Sequence, residues 1–187
     1  MAVTEYPTLK KNAEVKMAEL ERGIEIERKY IIQMPEVSML ASFDGYTESE
    51  IVQTYLSSEP GVTRRVRKRS FPDRTRYYET RKTRIDTISS VEEEGEISLE
   101  EYESLLPLIK DGTRPILKKR YTFVYKNQVF EIDVYPEWQR SAIMETELSS
   151  RDASPEIPEF IKIICEVTGN KAYSNASMSR LFPAEVI

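Results

Sequence analysis

Histidine is absent from this chain of 187 residues. Its absence excludes imidazole-liganded zinc, the Ser-His-Asp triad and the commonest general base. There is one cysteine, Cys165, so an internal disulfide framework and a thiolate metal cluster within one chain are excluded too. Cys165 lies in the apolar run 160–165, which predicts a small buried core residue. Any bound metal must therefore have oxygen ligands, which favours hard cations such as Mg²⁺ or Mn²⁺.

Long apolar runs are also missing, and the first residues lack the apolar core of a secretory signal. We therefore expect a cytoplasmic protein without a membrane partner. The net charge of -5, from 27 basic and 32 acidic residues, gives no reason to expect bulk nucleic-acid binding. The length fits one domain, which we place at 23–187, after an N-terminal extension over 1–22 with a weak helical pattern.

Charged side chains alternate along the chain with the two-residue period of a β-strand. In the first such segment, Glu25, Glu27 and Lys29 project from one face. One such face alone is usually a solvated strand surface. The same alternation recurs in five later segments: Arg65/Arg67, Thr80/Lys82, Lys118/Arg120, Glu131/Asp133 and Glu145/Glu147.

The pattern of strands and turns indicates about eight strands, mostly antiparallel, without a βαβ rhythm. Two helices are predicted, over 99–110 with a capping box that begins at Ser98, and over 158–167. The acidic run 91–97 fits a strand or a loop. The predicted fold class is α+β, mainly β: an eight-stranded antiparallel closed β-barrel with helices packed on the outside.

The opposite strand faces are apolar, as in Phe130 and Ile132 or Met144 and Leu148, and need to be buried. Helices outside the barrel would cover these faces, so the charged faces are left to line the interior. Such an interior is too costly to keep dry. It is compatible with a wet cavity that holds a charged ligand.

Clustered carboxylates without histidine indicate a hard-cation site, and converging lysines and arginines indicate a polyanion. A metal with a polyphosphate is the simplest ligand that satisfies both. The alternative is a sandwich whose outer face carries cross-strand ion pairs, each contributing little.

These segments resemble the motifs of the CYTH superfamily, the triphosphate tunnel metalloenzymes. Glu25-x-Glu27-x-Lys29 resembles the ExExK signature of that superfamily. The other similar segments follow in the family's order: Arg65-Val66-Arg67, Thr80-Arg81-Lys82, Lys118-Lys119-Arg120, Phe130-Glu131-Ile132-Asp133, Glu145-Thr146-Glu147 and Lys171 to Asn175. The resemblance covers residues 24–178 and is greatest to the small bacterial inorganic triphosphatases.

The resemblance implies a tunnel that binds a triphosphate with Mg²⁺ or Mn²⁺ and hydrolyses it to release orthophosphate. The implied phosphate-binding residues are Lys29, Arg65, Arg67, Lys82, Lys118, Arg120 and Lys171. The implied metal ligands are Glu25, Glu27, Asp133, Glu145 and Glu147, with Glu131, Glu92 and Glu94 as further candidates. Lys29, with a pKa lowered by like charges, and Glu27 are the candidate catalytic residues.

Three questions stay open at this stage. The substrate is inorganic triphosphate or an organic triphosphate. The alternatives to hydrolysis are a class IV-type adenylyl cyclase that makes cyclic AMP from ATP, and a polyphosphate-binding module without turnover. A triphosphate-containing small molecule is the expected partner, and a homodimer is left open.

Overall fold

A computed structural model of the chain describes residues 24–87, 89–148, 150 and 152–187, with the backbone alone at 24, 25 and 89. The predicted extension over 1–22 lies outside these residues. The described part contains nine strands and three short α-helices. The strands are β1 (Ile24–Gln33), β2 (Thr47–Leu56), β3 (Val62–Ser70), β4 (Thr75–Arg84), β5 (Ser89–Ile97), β6 (Ile116–Tyr125), β7 (Gln128–Val134), β8 (Ser141–Glu147) and β9 (Ile163–Glu166). The helices are α1 (Val37–Leu40), α2 (Leu99–Leu105) and α3 (Asn175–Met178).

The nine strands form one antiparallel sheet in the order β5-β4-β3-β2-β6-β7-β8-β1-β9. β1 also pairs with β5 over three residues, Ile24 to Ile26, before it meets β9. The mainly β, antiparallel architecture is thus confirmed. Closure of strands β1 to β8 into a barrel depends on that short β1–β5 contact and stays a prediction.

The outer face of the sheet carries the larger part of the apolar core. Phe123, Phe130, Ile132 and Met144 are fully buried there, as their alternation in the sequence predicts. Phe160 and other side chains of the segment before β9 pack against this cluster. Two smaller clusters lie under α2 and beside the C-terminal segment.

The predicted helix over 99–110 is shorter than expected. α2 begins with the predicted capping box, in which Glu101 and Ser98 bond each other's backbone N–H, and ends at Leu105. A 3₁₀ helix follows over Leu106–Leu108. Pro107 lies in that turn, where it has no N–H to continue an α-helix.

The predicted helix over 158–167 is wrong, because the chain there turns at 159–160 and then forms β9. Ile163 and Ile164 are β-branched and favour a strand. The edge of β1 beyond its contact with β5 offers backbone partners, and Ile31 faces Cys165 there. Cys165 is half-buried, so the prediction of a buried core cysteine is wrong as well. None of the described helices is long and apolar enough to cross a membrane.

Candidate functional site

A cavity of about 540 Å³ lies on the inner face of the sheet, and every strand from β1 to β8 contributes side chains to it. The alternation of the strands explains this convergence, since residues two apart share a face. The strand residues that line the cavity are Glu27, Lys29, Gln53, Tyr55, Thr63, Arg65, Arg67, Arg69, Lys82, Arg84, Glu92, Glu94, Lys118, Arg120, Glu131, Glu145 and Glu147. Gly61, Lys171 and the segment 174–177 complete the lining.

The structure thus brings together all seven of the predicted phosphate-binding residues. It also places most of the predicted carboxylates in the same cavity. Asp133 lies beneath the lining, fully buried. The side chain of Glu25 lies outside the part of the structure that is described.

Basic residues on β3 and β4 are held by two carboxylates of β5. Glu92 receives hydrogen bonds on both of its oxygens, from Arg65 Nη2 and from Lys82 Nζ, each at 2.7 Å. Glu94 accepts a hydrogen bond from Arg67 Nη2, also at 2.7 Å. The run 91–97 is therefore a strand whose inner carboxylates contact the predicted phosphate-binding side chains.

A buried ionic network forms the floor of the cavity. Arg120 donates to both oxygens of Asp133, at 2.6 and 2.7 Å, and Lys118 Nζ also contacts Asp133. Arg120 further contacts Glu131 and Glu145. Both oxygens of Asp133 thus accept hydrogen bonds from buried cations, and Asp133 holds Lys118 and Arg120 in place. Its role as a metal ligand stays a prediction.

Lys29 lies between two carboxylates. Its Nζ is 2.7 Å from Glu145 and 3.4 Å from Glu27. Burial alone would lower the pKa of Lys29, but the charges of Glu145 and Glu27 outweigh burial and raise it. The expected lowering of this pKa is therefore wrong, because the neighbours that dominate are of opposite charge. Lys29 stays protonated and cannot accept a proton from water at neutral pH.

Positive charge is in excess on the other side of the cavity. Burial, together with repulsion by Arg120, lowers the pKa of Lys118 to about 8. Burial and the like charge of Arg65 lower the pKa of Arg67, and burial and Arg120 lower that of Arg69. Burial is the largest cause of each lowered pKa, and a neighbouring cation adds to it. A bound anion would stabilise the charged form of these side chains.

Negative charge is in excess near the end of β8. Burial and the charges of Glu131 and Glu27 raise the pKa of Glu147. Glu147 is the pairing partner of Glu27 in the β1–β8 register, and Glu131 lies on the next strand, β7. Among the described residues no three carboxylates already converge as a metal cluster. Their oxygen chemistry and their mutual repulsion nevertheless fit a divalent cation.

Sequence reasoning missed two neutral residues of β2 that line the cavity. Gln53 is fully buried, and its Nε2 donates to the hydroxyl of Tyr55 at 2.8 Å, while its Oε1 has no partner. Arg69 and Arg84, one alternation beyond the predicted basic pairs, also line the cavity. The two-residue period would have found all four, although a search restricted to charge overlooks Gln53 and Tyr55.

No family model and no curated protein matches the chain. Solved structures do match it. The inorganic triphosphatase NE1496 superposes with a TM-score of 0.53 at 26% sequence identity, over 86% of this chain and 97% of that one. The PH1819 protein from Pyrococcus horikoshii OT3 superposes with a TM-score of 0.52 at 20% identity, over 68% of this chain and 80% of that one, and so shares the fold.

The chain shares its fold with a solved inorganic triphosphatase. The resemblance to the CYTH superfamily is thus confirmed, and the chain is similar to an inorganic triphosphatase within it.

Proposed function

We propose that this protein hydrolyses a triphosphate, with inorganic triphosphate as the preferred substrate, and that it requires Mg²⁺ or Mn²⁺. The observation that carries the proposal is the uncompensated charge of the cavity. Nine lysines and arginines line it against six glutamates, and buried cations within it lower one another's pKa. A compact polyanion is the ligand that such a cavity favours.

The basic side of the cavity would bind the phosphate chain. We assign this role to the seven predicted residues, Lys29, Arg65, Arg67, Lys82, Lys118, Arg120 and Lys171. Arg69 is added to them, because it is half-buried on the same face of β3. The similarity to an inorganic triphosphatase supports the assignment.

The acidic side would hold the cation. Glu27, Glu131 and Glu147 are the proposed ligands, and Glu25 is added because it precedes Glu27 on the same strand face. A divalent cation held there supplies charge neutralisation at phosphate oxygens and orients water. Glu145 is committed to Lys29 and Arg120, so we assign it to positioning these cations.

The protein's own side chains would lower the barrier mainly by position and charge. Phosphoryl transfer depends on in-line alignment and on stabilisation of charge on the equatorial oxygens. The fixed ammonium and guanidinium groups of the basic side supply both. Because Lys29 is protonated, it would stabilise charge on the substrate and would not act as the base.

We also propose that residues 23–187 are a single domain and that β1 to β8 close into a tunnel. The three β1–β5 pairs support closure. The cytoplasmic location and a homodimer stay predictions.

The test is orthophosphate release from inorganic triphosphate by the purified protein, with and without Mg²⁺ or Mn²⁺. We expect metal-dependent release that is abolished in Lys82→Ala and Glu147→Ala while circular dichroism shows both variants folded. Arg81→Ala is the matched control, because Arg81 follows Thr80 on β4 but faces outward, exposed beside Glu59 at 3.2 Å.

Three outcomes would contradict the proposal. The first is undiminished turnover in folded Lys82→Ala or Glu147→Ala. The second is formation of cyclic AMP and diphosphate from ATP with Mn²⁺, which would favour a cyclase. The third is triphosphate binding without metal-stimulated release, which would leave a binding module without turnover.

A further inference from the structure

Two carboxylates on the inner face of β5, Glu92 and Glu94, each contact two polar side chains of neighbouring strands. Glu92 is 10% exposed at its side chain and bridges Arg65 on β3 and Lys82 on β4 through separate oxygens. Lys82 is its neighbour across the β4–β5 pair, whereas Arg65 reaches Glu92 diagonally across two strands. The Glu92 carboxylate therefore fixes the positions of two charged groups, one from β3 and one from β4.

Glu94 repeats this arrangement one alternation further along β5. It accepts hydrogen bonds from Arg67 Nη2 and from Thr80 Oγ1, both at 2.7 Å. Thr80 is fully buried and faces Glu94 across the β4–β5 pair. The Thr80 hydroxyl thus holds the Glu94 carboxylate, which in turn holds the guanidinium of Arg67.

These contacts use only part of what the two arginines offer. A guanidinium has five N–H donors, and each arginine contacts its carboxylate through Nη2. The Nε–H groups of Arg65 and Arg67 are buried and have no partner. Each guanidinium is therefore anchored at one end and retains donors for a second anion.

We propose that Glu92 and Glu94 are positioning residues for triphosphate binding, which hold Arg65, Lys82 and Arg67 in the geometry that receives the phosphate groups. This inference rests on the proposed function of the cavity. Free lysine and arginine side chains lose much rotamer entropy when a ligand orders them, and an anchor in the unbound protein removes part of that cost. β5 thereby belongs to the binding site, although its inner residues have the same charge sign as the ligand.

Two possible roles of these carboxylates, repulsion of the ligand and positioning of the cations, predict opposite changes in triphosphate affinity when the carboxylates are substituted. If Glu94 acted only through its charge, Glu94→Gln would remove repulsion and tighten triphosphate binding. If it positions Arg67, the same substitution weakens binding, by about tenfold for one charge-assisted hydrogen bond. Glu94→Asp separates the two effects further, since it keeps the charge but shortens the side chain by one methylene group.

The experiment measures the dissociation constant of inorganic triphosphate by calorimetry without metal, for wild type, Glu94→Gln, Glu94→Asp, Glu92→Gln, Arg67→Ala and the double variant Arg67→Ala/Glu94→Gln. We expect weaker binding in each single variant at position 92 or 94. The double variant should bind like Arg67→Ala, because Glu94 acts through Arg67. Glu93→Gln, on the exposed outer face of the same strand, is the control and should bind like wild type.

Tighter binding by Glu94→Gln with unchanged binding by Glu94→Asp would overturn this inference and leave the proposed function intact. The inference would also be overturned if Glu94→Gln weakened triphosphate binding by the same factor in Arg67→Ala as in wild type. If wild type does not bind triphosphate, the proposed function fails, and this inference fails with it. If circular dichroism shows that Glu94→Gln is unfolded, binding by Glu94→Asp and Glu92→Gln tests the positioning role.

Discussion

The ammonium of Lys29 on β1 lies 2.7 Å from the carboxylate of Glu145, its pairing partner on β8. The two charges stabilise each other, so the pKa of Lys29 is raised and that of Glu145 is lowered, in both cases against the effect of burial. Neither group is available to titrate near neutral pH. The titratable group of the proposed site is instead Lys118.

Triphosphate binding should therefore weaken in alkaline solution because Lys118 loses its proton. Its pKa is about 8 in the free protein, so above that pH the bound state must take up a proton to restore the cation. We expect the affinity of wild type for triphosphate to fall by up to about tenfold for each pH unit above pH 8. This fall is measured relative to the affinity of Lys118→Met at the same pH. Calorimetry in two buffers of different ionisation enthalpy measures the proton uptake directly.

Lys119→Met is the matched control for this pH dependence. Lys119 follows Lys118 on β6 but is exposed on the outer face, 3.2 Å from Glu48. It should keep the proton uptake of wild type, whereas Lys118→Met should lose it. Equal uptake in wild type and Lys118→Met would contradict the assignment.

The two-residue period of the strands made the lining of the cavity predictable from the sequence. Arg65 and Arg67, or Glu145 and Glu147, can reach a common cavity only if alternate residues share a face. Pairing between distant segments was not predictable in the same way. Nothing in the sequence distinguishes Asp133 from a carboxylate without a partner. In the structure, its two oxygens contact Lys118 and Arg120.

The same limit explains the other errors. The apolar run 160–165 is too short for its period to separate helix from strand, and the edge of β1 decides in favour of β9. Lys29 has Glu27 two residues away in the sequence, but Glu145, the neighbour that raises its pKa most, is 116 positions further along the chain. Local patterns therefore predicted which side chains meet and not which of them neutralise each other.

Glu147→Gln should raise the thermal stability of the protein and weaken its response to metal. The pKa of Glu147 is raised in the folded protein, so its ionised form is disfavoured there and lowers stability at pH values above the usual pKa of a glutamate. The neutral variant should therefore melt at a higher temperature than wild type at pH 7 without metal. Its half-saturating concentration of Mg²⁺ or Mn²⁺ in the triphosphatase assay should rise about tenfold or more, as for loss of a group that supports a metal site.

The control for Glu147→Gln is Glu166→Gln, an exposed carboxylate on β9 that pairs with Arg28. It should leave the metal requirement unchanged. A lower melting temperature in Glu147→Gln, or an unchanged metal requirement, would contradict the placement of the cation.

Asp133→Ala should cost far more stability than loss of a surface ion pair. Asp133 is fully buried and accepts from Lys118 and Arg120, so its removal leaves two buried cations without their main partner. We expect a loss of about 3–5 kcal/mol in the free energy of unfolding, measured by urea denaturation. Glu156→Ala breaks the exposed pair with Lys126 and should leave the free energy of unfolding almost unchanged. Similar losses in both variants would show that the Asp133 network does not stabilise the fold.

The C-terminal segment should be held on the sheet by Glu185. Its Oε1 accepts hydrogen bonds from the backbone N–H of Gln139 and of Ser141, at 2.8 and 2.9 Å, and also contacts Arg140 N. Beside it, Trp138 Nε1 donates to the carbonyl of Pro183 at 3.1 Å, and Phe182 packs against the indole. Glu185→Ala leaves these N–H groups without their acceptor and should loosen the C-terminal segment.

Trp138 reports on this contact because it is the one tryptophan of the chain and is 3% exposed. In Glu185→Ala we expect its emission to shift to longer wavelength and iodide to quench it more efficiently. Leu181→Ala is the control, since Leu181 is 80% exposed in the same segment and should leave emission unchanged. If the fluorescence of Glu185→Ala equals that of wild type, Trp138 stays covered without the Glu185 contact. Packing by Phe182 alone would then account for the position of the segment.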